Sequence, residues 1–283
     1  MKKETLKKLM GFILRVIIYL LLSGGTSTAI RIIGGIIRGE HGAPSFATVG
    51  FQIFGFVTSL LLVAAYLLIG YKIPIKNKAL RGLTFMMFFW ISSYLSQILG
   101  IMGAYSPYMS SDAVSISTIL SDSIGYIFSG IFLGLLLTIK ESERIKPCKP
   151  VRLIISSVVS SITFTAVMLI LEVLIGLINP DFVCSSAFGI NENETTKFYI
   201  IFYLFQAISG FSFPIFYRCT EYNSKVPKWV RFASVYGWML WTPIVIIVAF
   251  FGVSLPATIA FAVIMLIAVY TDTYAYTRIL KQE

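Results

Sequence analysis

Residues 153–178 read LIISSVVSSITFTAVMLILEVLIGLI, with Lys146, Lys149 and Arg152 just ahead of them. A single charge, Glu172, interrupts the run. A hydrocarbon core about 30 Å thick takes roughly 20 apolar residues as an α-helix. The stretch therefore reads as a membrane-crossing helix that leaves a basic segment and carries one carboxylate inside.

Seven further runs have the same character. They lie near Phe12–Ile33, Ala47–Tyr71, Leu83–Gly103, Ser117–Ile139, Phe198–Tyr217, Phe232–Val253 and Leu255–Ala275. The last two adjoin in one long apolar tract. Gly252-Val253-Ser254-Leu255-Pro256 divides it, because glycine ends a helix readily and proline suits the first turn of the next. The opening stretch, 1–29, has the basic start and small residues of a signal peptide. It is read as a retained first helix.

Composition agrees. Of 283 residues, 57% are hydrophobic and 13% charged, and the mean hydropathy is +0.84. Water-soluble domains carry about 25% charged residues, and a soluble fold this apolar would expose large sticky patches. Lipid is the expected solvent and the bilayer the first partner. The net charge of +10 does not point to nucleic acid, because the cations fall in short bursts between apolar runs.

Those bursts orient the chain by the positive-inside rule. Lys2, Lys3, Lys7, Lys8 and Arg15 lie on one side. So do Lys72, Lys76, Lys78 and Arg81; Lys140, Arg144, Lys146, Lys149 and Arg152; Arg218, Lys225, Lys228 and Arg231; and Arg278 with Lys281. The other side holds Arg31, Arg38 and Lys197, together with Glu40, Asp112, Asp181, Glu192 and Glu194. Twenty cations against three place both termini inside. The expected fold is an all-α polytopic bundle of about eight transmembrane helices. It forms a single integral membrane domain over 1–283, in a cell membrane, read as a bacterial plasma membrane from the frequent Ile and Lys. The sequon at Asn193 would then carry no sugar.

The halves 1–139 and 152–283 each hold four runs, and Lys78-Ala79-Leu80-Arg81 echoes Lys228-Trp229-Val230-Arg231. An even number of helices per half would make a parallel 4+4 repeat. Any alternating topology also puts bases at these places.

Charges inside hydrocarbon cost from ~2.5 kcal/mol upward, so each calls for a reason. Glu172 is expected roughly 10 Å below the outer boundary by the helical rise. It is an ion or substrate site, a structural partner of Arg31 or a serine, or simply the mark of a helix that ends early near it. Arg31 either faces it or snorkels outward. Asp272, near the inner end of the last run, either reaches the headgroups, pairs with Arg231 or Arg278, or acts in function. Gln206 is either interhelical glue or the lining of a polar path. These four are the candidate substrate- or ion-binding residues. Asp122 suits a helix N-terminus. Trp90, Tyr94, Tyr236, Trp238 and Trp241 either line an aromatic cavity or pack and anchor. Pro214 and Pro243 break their helices' hydrogen bonding. Gly130 and Gly134 form a GxxxG face for a close crossing, within the chain or with a protein partner or second copy.

Catalytic constellations are missing. One histidine, His41, and three scattered cysteines, Cys148, Cys184 and Cys219, give no zinc set and no disulfide framework. There is no nucleotide-binding motif, and no cofactor or metal is expected. Three functions remain in descending order. The first is a small-molecule or ion transporter or permease subunit. The second is a non-catalytic immunity, regulatory or assembly partner, and the third is a lipid-modifying membrane enzyme.

Overall fold

The computed structural model of the protein describes residues 3–37, 49–95, 116–137, 149–179, 195–219, 226–237 and 255–280, and no strand occurs among them. The described helices are α1 (Lys3–Ile37), α2 (Val49–Leu68), α3 (Lys78–Phe89), α4 (Ile116–Leu137), α5 (Pro150–Ile178), α6 (Thr195–Cys219), α7 (residues 228–237) and α8 (Leu255–Leu280). A described helix overlaps each apolar run, but α3 starts before the third run and covers only its first part, and α7 covers only the start of the seventh. A 3-10 turn, Gly70–Lys72, links α2 to α3, and α3 continues into a π-helical turn, Trp90–Leu95.

Local chemistry sets several of these ends. Pro150 occupies the first turn of α5, where its missing N–H costs nothing. Asn179 closes the same helix with extended backbone, as the following Pro180 favours. Pro256 falls in the first turn of α8. Asn77 caps α3, its Oδ1 accepting the Leu80 N–H at 3.2 Å.

Among the described residues, Glu4–Gly34 and Pro150–Ile178 are long and apolar enough to cross a membrane. Gly55–Leu68 and Ser123–Leu137 are shorter apolar helices. The core helix of a soluble protein would be mostly buried. In α5, Ile154, Ile162, Leu169, Ile170, Val173 and Leu177 are instead exposed, Leu177 by 78%. That outward greasy surface supports membrane association. Eight crossings go beyond these two helices.

The chain divides into two compact units, Met1–Met87 with Ile116–Arg144, and Phe88–Ser115 with Ile145–Glu283. In the first unit α1 packs along α4. The buried Tyr19 hydroxyl lies 2.9 Å from Ser129 Oγ, and the Ser23 hydroxyl donates to Ser129 at 2.8 Å. Across from this seam α3 and α4 touch backbone to backbone. A Cβ added at Gly82 would collide with the main chain of Gly130 and Gly134, and one at Gly134 with the Lys78 carbonyl. The GxxxG face is therefore occupied by α3 of the same unit. Of the two crossings the sequence allowed, the internal one is present. Arg81 folds inward, 2% exposed, and its Nε donates to the Ile75 carbonyl at 2.9 Å. Its Nη1 donates to the Tyr71 carbonyl at 3.4 Å, so it ties down the α2–α3 link.

The second unit is built on α5, which packs along both α6 and α8. Its seam with α6 is close because of Gly210, where an added Cβ would stand 3.0 Å from the Ser160 carbonyl and 3.0 Å from Ser161 Cα. Phe164 meets Phe213 edge to face at 5.1 Å. A packed aromatic cluster of Phe213, Phe216, Tyr217, Phe232, Tyr236 and Tyr276 joins α6, α7 and α8. Phe88 stacks on Phe216 at 4.6 Å.

Candidate functional site

The inner face of α6 carries Tyr199, Tyr203, Gln206, Gly210, Phe213 and Tyr217, alternately four and three residues apart. That spacing aligns them along one side of a helix. The stripe faces α5 and meets two buried carboxyls at two depths.

At the upper level Glu172 of α5 is 5% exposed. The Tyr199 hydroxyl donates to its Oε1 at 2.8 Å, and the Tyr203 hydroxyl donates to its Oε2. The two phenols lie one turn apart with stacked rings, centroids 6.0 Å apart. One carboxylate thus has a donor on each oxygen, both from one face of one helix. Gln206 is buried, one turn further along the same stripe.

The lower level is Ser160 of α5, Gly210 of α6 and Asp272 of α8. It lies about 18 Å from Glu172 along α5 by the helical rise. Ser160 and Asp272 are both 0% exposed. Ser160 Oγ stands 2.6 Å from the Gly210 carbonyl oxygen and 2.8 Å from Asp272 Oδ2. Asp272 Oδ1 is buried with no hydrogen-bond partner among the described residues, as are the Tyr236 and Tyr276 hydroxyls. Tyr276 follows Asp272 by one turn of α8, and Tyr217 meets it edge to face at 5.6 Å.

The sequence explains the odd acceptor at Gly210. A helical carbonyl accepts from the N–H four residues later, and here that residue is Pro214, which has no N–H. The neighbouring helix supplies the missing donor, since the Ser160 hydroxyl reaches across. Ser161 also reaches across, donating to the Ala207 carbonyl at 2.8 Å, although there the helical donor, the Phe211 N–H, is present.

Of the four residues singled out from sequence, Glu172, Gln206 and Asp272 lie buried in the second unit. Asp272 has no ion pair among the described residues, so the expected pairing with Arg231 or Arg278 is replaced by Ser160. Arg278 instead lies over the Tyr274 ring, 4.6 Å from its centroid. The backbone of Arg31 belongs to α1, but its side chain lies outside the described residues, and with it the expected pairing to Glu172. Pro243, Trp238, Trp241, His41, Cys148, Cys184 and Asn193 lie outside them entirely, as do the side chains of Asp122 and Tyr94. Tyr236 belongs to the packed aromatic cluster, and the half-buried Trp90 has its indole nitrogen unpaired among the described residues.

Sequence reasoning missed Ser160, Tyr199, Tyr203 and Tyr276. Two signals could have found the first three. Pro214 frees the carbonyl at Gly210, and Tyr199 and Tyr203 share a face with Gln206. Among the described residues no group of three or more His, Cys, Asp and Glu could hold a metal ion. Cys219 is a half-buried free thiol just past the expected end of the sixth run. Burial pushes this thiol up from its ordinary value, against the opposing pull of Lys228 and Arg218.

No family model, curated protein or solved structure matches the chain.

Proposed function

We propose that this chain is a multi-pass cell-membrane protein, crossing the bilayer eight times with both ends inside. We further propose that it moves an ion or small polar molecule across, alone or as a permease subunit. The observation that carries this reading is Asp272. It is a wholly buried carboxyl about 12 Å from the end of α8 by the helical rise, with no cation beside it among the described residues and one oxygen unpaired. Buried ionisable groups are expensive in a membrane and mark ion and substrate pathways. Gln206 on the α6 stripe, and Glu172 of α5 held by Tyr199 and Tyr203 of that stripe, extend the polar series toward the other end.

Chemically, the arrangement offers two oxygen-rich stations separated by apolar packing around Phe164 and Met168, both buried on α5. Oxygen ligands suit protons, small cations and hydrogen-bonding solutes. The Pro214 interruption of α6 next to the lower station is the kind of helix break that lines transport sites.

The test is uptake into liposomes reconstituted with the full chain, using protons read by a trapped pH dye, radioactive sodium, radioactive rubidium and a labelled amino-acid mixture as probes. Uptake above protein-free liposomes, abolished by Asp272→Asn with unchanged folding, supports the reading. Uptake equal to protein-free liposomes for every probe contradicts it. Stable co-purification with another membrane subunit alongside flat uptake would favour the assembly-partner class.

A further inference from the structure

We infer that Asp272 is held as a neutral carboxylic acid, in a proton-binding site made by Ser160 and the proline-freed carbonyl of Gly210. It follows that the ion handled by the proposed transporter is a proton. This rests on the transport reading only in its second half; the protonation state stands on the geometry alone.

The geometry is a count of hydrogens. Ser160 has one hydroxyl proton and two neighbours at hydrogen-bond distance, the Gly210 carbonyl at 2.6 Å and Asp272 Oδ2 at 2.8 Å. A carbonyl oxygen only accepts, and so does an ionised carboxylate. Gly210 cannot draw a donor from position 214, because Pro214 has none. The Ser160 proton is therefore committed to Gly210, the closer of the two. The contact to Asp272 is a hydrogen bond only if the carboxyl supplies its own proton. Asp272 Oδ2–H then donates to Ser160 Oγ, and Ser160 O–H donates to Gly210. With the carboxyl ionised, its two oxygens would share no donor among the described residues at a position 0% exposed, where such a charge is strongly disfavoured.

Among the described residues the surroundings add no counter-charge. From α5 the facing group is the hydroxyl of Ser160. From α6 it is the Gly210 carbonyl, with Tyr217 reaching in through Tyr276, and Tyr236 of α7 lies within electrostatic reach of Tyr276. Among the described residues these titratable neighbours, Tyr217, Tyr236 and Tyr276, are phenols. Lys228 sits over the Tyr217 ring at 4.6 Å from its centroid. Loading the site adds one proton to Asp272 and changes no other bond, and unloading returns that proton to water.

The chain has four aspartates, Asp112, Asp122, Asp181 and Asp272. Carboxyl-selective carbon-13 labelling of aspartate therefore reads the site without interference from Glu172. In the wild-type chain in detergent at neutral pH, an infrared difference spectrum should show an isotope-sensitive carbonyl band of a protonated carboxyl. That band should be missing in Asp272→Asn. Pro214→Ala restores an N–H to Gly210 and releases the Ser160 proton to Asp272, so it should weaken the band while Asp272 stays in place. Absence of any isotope-sensitive protonated-carboxyl band in the wild type overturns the inference, whatever any flux assay shows. A band that persists in Asp272→Asn overturns it equally. If the band is as described but proton entry into liposomes under a potassium diffusion potential equals the protein-free rate, the proton assignment to transport falls and the protonated site stands.

Discussion

Ser160 Oγ and Asp272 Oδ2 lie 2.8 Å apart in the interior of the second unit, joining α5 to α8 through a pair of groups that are both wholly buried. The same serine holds the Gly210 carbonyl of α6. One hydroxyl thus ties three helices together.

Removing that hydroxyl should be costly. Ser160→Ala leaves the Gly210 carbonyl and the Asp272 carboxyl without their shared partner, a loss of about 1–3 kcal/mol for buried groups left unsatisfied. Thermal unfolding in detergent should show a clear fall in midpoint. Combining Ser160→Ala with Asp272→Leu should cost less than the two single changes summed, because the residues act as a pair. Simple additivity would show that they do not interact.

The Glu172 station makes a different prediction. Tyr199→Phe and Tyr203→Phe each remove one donor from a carboxylate that is 5% exposed. Each should destabilise by about 1–2 kcal/mol, within the range for a hydrogen bond to a charged or buried group. Glu172→Leu leaves two phenols facing hydrocarbon and should cost at least as much. A thermal midpoint unchanged in all three variants would show that the clamp contributes nothing.

The glycines of the first unit separate close approach from mere composition. Gly134→Ala drives a methyl group into the Lys78 carbonyl across the α3–α4 crossing and should destabilise by about 1–3 kcal/mol, the usual cost of overpacking. Gly24→Ala meets nothing within 4 Å and should be neutral, or gain up to about 1 kcal/mol from helix propensity. Equal effects at the two positions would contradict the crossing.

Cys219 carries the pH dependence that is open to chemistry from outside the spans. Its thiol is raised, mainly by burial. The thiolate is the reactive form, so alkylation should lag behind that of a free cysteine at mildly alkaline pH and catch up only at higher pH. The sign for stability follows. A thiol raised in the folded state favours folding below the ordinary thiol range, and that contribution is lost as pH rises through and beyond that range. Maleimide kinetics against pH, in a chain with Cys148 and Cys184 replaced by serine, should place the midpoint above that of a model thiol. A midpoint at or below the model value would contradict the burial.

Much of this arrangement was legible in the residues, and the rest fails for physical reasons. Apolar runs gave the helices because lipid-compatible helices need long unbroken stretches, and Pro256 marked the start of α8. Glu172, Gln206 and Asp272 stood out because polar groups in such runs are rare. Their partners did not, because serine and tyrosine are ordinary in apolar helices and carry no charge signal. Arg81 illustrates the reverse case. It counts as one cation among many for orientation, yet the folded chain buries it and uses it to hold the α2–α3 link. The Gly130/Gly134 spacing announced a close crossing but not its partner, which is set by Gly82 in a helix with no matching glycine pattern of its own.

The central claim is that these helices cross a bilayer with the basic segments inside. Single cysteines placed by Lys146→Cys and by Asp181→Cys, in a chain otherwise free of cysteine, test it directly with a membrane-impermeant maleimide on intact cells. The account predicts prompt labelling at position 181 and labelling at position 146 only after the cells are opened. Labelling of position 146 on intact cells, or full recovery of the chain in the soluble fraction, would contradict it.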